Sequence, residues 1–134
     1  MSTVNKTDVS MQAVGCVSTA ERLKMSGTKY DGDKLRMDLI PPEVMTAIAE
    51  VLTMGAVKYD DHNWREGIQY SRVVGALKRH LTAWEGGEVY DSESKLNHMA
   101  HVLCNAAFLI TYEFEGRSEL NDLYAYNQGE SNAS

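Results

Sequence analysis

The sequence predicts an all-α protein, a helical bundle of three to four helices, and three observations carry that prediction. Apolar residues recur at helical spacing in three stretches, Pro or Gly punctuates the ends of those stretches, and nothing alternates with period two over a useful length. A chain of 134 residues accommodates one domain with one hydrophobic core. Once its terminal segments are set aside, roughly 90 residues remain to build that core, which is marginal for three helices alone. The bundle is therefore expected to be completed by oligomerisation.

Residues 1–27 are rich in Ser, Thr and Asn without a sustained period and read as a flexible leader, with a short helix near Val17 to Lys24. The first bundle helix opens at Pro41-Pro42, residues suited to a helical first turn, and places Val44, Ile48, Val51 and Leu52 on one face. Gly55 weakens its end without breaking it. YDDHNWREGIQ has loop composition. The second helix starts near Ser71 as N-cap, aligns Val74, Leu77, Leu81 and Trp84, and stops at Gly86-Gly87. After GGEVYDSES the third and longest helix runs from Ser92 or Ser94 to Glu115, apolar enough to be central and interrupted by Asn105. These elements define a domain over 28–116, and 117–134 read as a short terminal helix, Ser118 to Tyr126, followed by a disordered tail.

The 13 Lys+Arg against 19 Asp+Glu give a net charge of -6, with a pI near 5.1. That balance argues against direct nucleic-acid binding and against anionic membrane. No apolar run is long enough to span a bilayer, and the N-terminus lacks the pattern of a secretory signal, so a cytoplasmic location is expected. Cys16 and Cys104 read as free thiols.

Three of the 4 histidines, His80, His98 and His101, fall on the second and third helices. His98 and His101 share a helix face, and a short connection folds the two helices into an antiparallel hairpin. With the turn centred near Tyr90, both face the stretch Arg79 to Thr82, and three imidazoles converge. Glu85, Glu88, Asp91 and Glu93 cluster at the same hairpin. Mixed His and carboxylate ligands suit Mn²⁺ or another transition metal, whereas carboxylates and water suit Mg²⁺.

A basic set comprises Lys29, Lys34, Arg36, Lys58, Arg72, Lys78 and Arg79. Taken singly these are ordinary surface charges, but beside a carboxylate-rich site they suit a phosphate chain that also coordinates metal. In the loop, Trp64 beside Asn63 reads equally as a platform for a nucleobase and as a plug on the core. No P-loop, dinucleotide fingerprint, G-x-S-x-G, H-E-x-x-H or His-Asp dipeptide is present.

The series KYDGDKLRMDLIPPE, GAVKYDDHNW and SRVVGALKRHLTAWEGGEVYDSESKLNHMAHVLCNAAFL resembles the phage-type dATP/dGTP pyrophosphohydrolases, MazG-like members of the all-α NTP pyrophosphatase superfamily. The resemblance covers residues 29 to 113. It implies a homodimer or homotetramer that cleaves a purine deoxynucleoside triphosphate, dGTP or dATP, to the monophosphate and pyrophosphate with divalent metal, Mn²⁺ or Mg²⁺, and Co²⁺ as a further candidate. Carried onto this sequence, it implies a metal and catalytic cluster of Gly87-Glu88, Asp91, Glu93, His98 and His101, with Arg79-His80 facing it. The expected metal ligands are His80, Glu88, Asp91, His98 and His101, and the expected catalytic groups are Glu88, Asp91 and His98. Lys29, Asp31, Lys34, Lys58, Asn63 and Trp64 fall at positions for phosphate and base recognition, with Arg79 among the phosphate clamps. One departure stands out: the wider MazG superfamily uses Glu-x-x-Glu and Glu-x-x-Asp, and the third helix here carries His98-x-x-His101. Imidazole in place of carboxylate shifts the expected preference toward Mn²⁺ or Co²⁺. Two other readings compete, a phosphohydrolase releasing tripolyphosphate or phosphate and a non-catalytic nucleotide-binding module.

Overall fold

The computed structural model describes residues 27–125. The expected leader helix, Cys16 and the end of the tail lie outside the described residues. The chain divides into two compact units, 1–37 and 38–134. Of the first, residues 27–37 are exposed, with one turn closed by the Lys34 N–H donating to the Asp31 carbonyl at 3.0 Å. The second is all-α as predicted. Its described residues form α1 (Pro42–Tyr59), α2 (Tyr70–Glu85), α3 (His98–Phe114) and short 3₁₀ turns, with no strand longer than a single bridge.

Helix α1 begins as its prolines dictate: Pro41 is extended, and the N–H missing from Pro42 is one that no helical partner would have satisfied. It continues through Gly55 and closes where the Asp60 N–H donates to the Ala56 carbonyl at 2.9 Å. The start of α2 differs from expectation, because Ser71 is not the N-cap. Gln69 flanks the helix without a side-chain cap. Ser71 sits in the first turn, and its N–H and hydroxyl both donate to the Asp122 carboxylate at 2.8 and 2.6 Å. A residue beyond α3 therefore satisfies the helix terminus that local sequence leaves open. Gly86 ends α2, and Gly87 turns the chain at φ 101°, a left-handed conformation that favours glycine.

The third helix also starts later than expected, at His98 rather than Ser92 or Ser94. Residues 91–97 form a hydrogen-bonded loop instead: the Asp91 N–H donates to the Leu96 carbonyl and the Lys95 N–H to the Asp91 carbonyl, each at 2.8 Å, while Lys95 takes φ 67°. Asn97 then caps α3 by accepting from the Met99 N–H at 2.7 Å. Of the terminal helix expected over Ser118 to Tyr126, Tyr126 lies outside the described residues, and 118–125 are not continuously helical. A 3₁₀ turn covers Ser118–Leu120, residues 121–123 are irregular, and helix resumes at 124. Leu120 and Leu123 pack on the core there, and Asp122 reaches back to α2.

Helix α3 is central. Its first half packs Ala100 and Cys104 against Val51 of α1, and its second half packs Tyr112 against Tyr70 and Val73 of α2. Phe108 touches both clusters. Many large apolar side chains remain exposed, among them Met45, Val57, Ile110 and Phe114. No helix of the described residues is long and apolar enough to cross a membrane.

Candidate active site

The antiparallel α2–α3 hairpin brings the three predicted histidines together. His80 Nδ1 lies 2.9 Å from His98 Nδ1, and the His80 ring stacks on His101 with centroids 4.2 Å apart and planes 6° apart. His98 and His101 are buried. The loop after α2 supplies the carboxylates. One ligand atom each of His80, Asp91 and His98, a ring nitrogen from either histidine and a carboxylate oxygen from Asp91, lie within 4.8 Å of one another and could meet a common ion. Two imidazoles and a carboxylate fit a divalent transition metal by their chemistry.

Neighbouring groups hold these donors in place. His98 Nε2 meets Glu88 Oε1 at 2.7 Å, so the carboxylate fixes the ring and leaves Nδ1 turned toward His80. Asp91 accepts from the Ser94 N–H at 2.8 Å, and that bond holds its carboxyl below the ordinary value. The Ser94 hydroxyl meets His101 Nε2 at 2.8 Å. Burial, and then the neighbouring His101 ring, lowers the pKa of His80, and burial lowers that of His101, so both stay neutral near pH 7 with a lone pair free to ligate.

Beside the cluster, a cleft of about 780 Å³ runs between α1, the loop after it and α3. Leu52, Cys104 and Phe108 give it an apolar wall, and Arg65, Arg72 and Asn105 bring polar groups to it. His101 lines the cleft as well, which joins it to the imidazole cluster. The volume is that of an ordinary small-molecule site.

A family profile described as dATP/dGTP diphosphohydrolase, N-terminal, matches residues 24–122. The chain belongs to this family. It is also 35% identical over 85 residues to a dATP/dGTP diphosphohydrolase of Salmonella phage PMBT28, a match that takes in 63% of this chain and 29% of the phage protein. The chain thus spans under a third of that relative's length. No solved structure matches.

Of the residues expected at a dATP/dGTP diphosphohydrolase N-terminal site, the structure gathers His80, Glu88, Asp91, His98 and His101. Glu88 holds the far nitrogen of His98, and its side chain is 53% exposed. Trp64 is half-buried and stacks on Phe108 at 4.5 Å, while its carbonyl accepts from the Tyr112 hydroxyl at 2.5 Å; it packs on the core and lines the cleft at once. Asn63 lines the cleft. Lys58 is exposed at the end of α1, with its ammonium 5.2 Å from the Tyr59 ring centroid, and Arg79 is exposed on α2. Lys29 and Lys34 belong to the first unit. Sequence reasoning passed over Ser94, Arg65 and the role of Asn105; only Asn105 carried a signal, as an amide inside an apolar helix.

Proposed function

We propose that the chain is the nucleotide-hydrolysing part of a metal-dependent purine deoxynucleoside triphosphate pyrophosphohydrolase, converting dGTP or dATP to the monophosphate and pyrophosphate. The observation that carries this reading is the convergence of His80, Asp91 and His98 on one point, with Glu88 braced behind His98. Family membership and the printed activity of the phage relative support it.

His80, Asp91 and His98 would hold the metal, which when bound supplies positive charge to phosphate oxygens and acidifies a coordinated water. The two facing Nδ1 atoms lie 2.9 Å apart, and the same pair with Asp91 makes a donor set for a cation. Glu88 Oε1 orients His98, and the half-exposed Glu88 carboxylate holds or deprotonates the attacking water. The cleft arginines, with Lys58 and Arg79, offset the remaining charge of the triphosphate. Exposed apolar side chains on α1 and α3 support the homodimer or homotetramer expected of this enzyme.

Product identification tests the reaction. Incubation with dGTP and dATP, followed by ion chromatography, is expected to give monophosphate and pyrophosphate in equal amounts, faster with Mn²⁺ than with Mg²⁺. Tripolyphosphate or orthophosphate would assign the rival phosphohydrolase chemistry, and metal-dependent binding without turnover the non-catalytic module.

A further inference from the structure

Asn105 is out of place by composition. It stands midway along the most apolar helix of the chain, in HVLCNAAFLI, where Ala would be the better helix former. Its amide nitrogen donates to the His101 carbonyl at 2.8 Å, one turn back. Because a carbonyl can only accept, that bond fixes which way the amide points and turns Oδ1 outward as an acceptor. Oδ1 has no partner among the described residues, yet no buried side-chain polar atom there lacks one, so this oxygen is reached by solvent. Asn105 lines the 780 Å³ cleft, one helical turn from His101, which lines it too.

The cleft is therefore polarised along its length. At one end His101 stacks on His80, a member of the candidate metal group. Along the rest, Phe108 and Leu52 offer apolar surface to a flat ring, and Asn105 offers one oriented acceptor. Trp64 lines the cleft as well, with one face held against Phe108 at 4.5 Å and the Arg65 guanidinium 4.8 Å from its ring centroid. A ligand with phosphates at one end and an aromatic heterocycle bearing N–H donors at the other matches this order.

We infer that the cleft between α1 and α3 binds the purine end of the substrate, and that Asn105 is a specificity-determining residue whose Oδ1 accepts a hydrogen bond from the base. This rests on the hydrolase reading for the identity of the ligand. The donor is the exocyclic amine of adenine, or the ring N–H and amine of guanine. The bond to the His101 carbonyl holds the acceptor in place without help from the ligand, which reduces the ordering that binding must supply.

The test is nucleoside monophosphate binding in EDTA, followed by NMR on the full chain, so that neither metal nor turnover enters. dAMP and dGMP are compared with the monophosphate of purine deoxyriboside, which lacks those donors. The wild type is expected to favour dAMP over the unsubstituted purine by about tenfold, and N105A to bind the two alike, as loss of one hydrogen bond predicts. A merely structural Asn105 would lower the melting temperature when replaced, whereas N105A is expected to melt at or above the wild-type temperature. Equal discrimination in the two proteins, or no binding of dAMP and dGMP at millimolar concentration, would overturn the inference. Asn105-dependent discrimination in a protein that releases no pyrophosphate would retain it and reject the hydrolase reading. Should N105A fail to fold, N105S keeps a polar group too short to reach the base and is expected to lose the same discrimination.

Discussion

Asp60 takes φ 112° and ψ 156°, a backbone region essentially reserved for glycine that costs other residues about 1–3 kcal/mol. Both its backbone groups are engaged, the N–H with the Ala56 carbonyl and the carbonyl with the Asn63 N–H, while the residue lines the cleft. Asp60→Gly removes the strain and adds about 0.5–1 kcal/mol of unfolded-chain entropy. The net expectation is a gain of about 1 kcal/mol in urea unfolding, and a loss of stability would show that the strain is not present. The histidines were legible at this scale, because spacing places His98 and His101 on one face and the hairpin places His80 opposite. Asp60 was not, since a turn residue in YDDHNW gives no sign of an unfavourable φ. Nor was the commitment of Trp64 to Phe108, which depends on packing between residues 44 positions apart.

At the scale of elements, the helix cores followed from apolar spacing and their ends did not. Pro41-Pro42 and Gly86-Gly87 marked two boundaries because those residues restrict or free the backbone by themselves. Ser71 and Ser94 looked like helix starts, yet each is used elsewhere: Ser71 bonds Asp122, and Ser94 bonds Asp91 and His101. The partner of Ser71 lies 51 residues away, beyond any local rule. Asp122 therefore ties the segment after α3 to the start of α2, and Arg117 adds bonds to the Arg65 and Glu66 carbonyls at 3.2 and 3.1 Å. Gly67 permits this approach, since a Cβ there would lie 2.6 Å from the Arg117 guanidinium, and its φ of 116° suits glycine. The two Ser71 hydrogen bonds hold the Asp122 carboxyl below its ordinary value of 3.8. A carboxyl depressed in the folded state contributes its stability fully above the unfolded value and loses it as pH falls through the folded one. Asp122→Ala is thus expected to lower the melting temperature at pH 7, with the difference from wild type shrinking below pH 3.8. A difference independent of pH would place the effect in packing.

For the molecule as a whole, an acidic chain of net charge -6 concentrates part of that charge where two helices and their connecting loop meet. The central helix joins both hydrophobic clusters and carries His98, His101 and Asn105 on the way, so the core and the candidate site share one element. Family membership accounts for the fold region, whereas the activity rests on whether His80, Asp91 and His98 hold a metal. Titration of Mn²⁺ into the wild type and His98→Ala, followed by the electron paramagnetic resonance of free Mn²⁺, addresses that claim directly. The expected result is saturable binding in the wild type and a loss of at least tenfold in affinity in a variant that keeps its helical circular dichroism; equal binding in the two proteins, or none in the wild type, would contradict it.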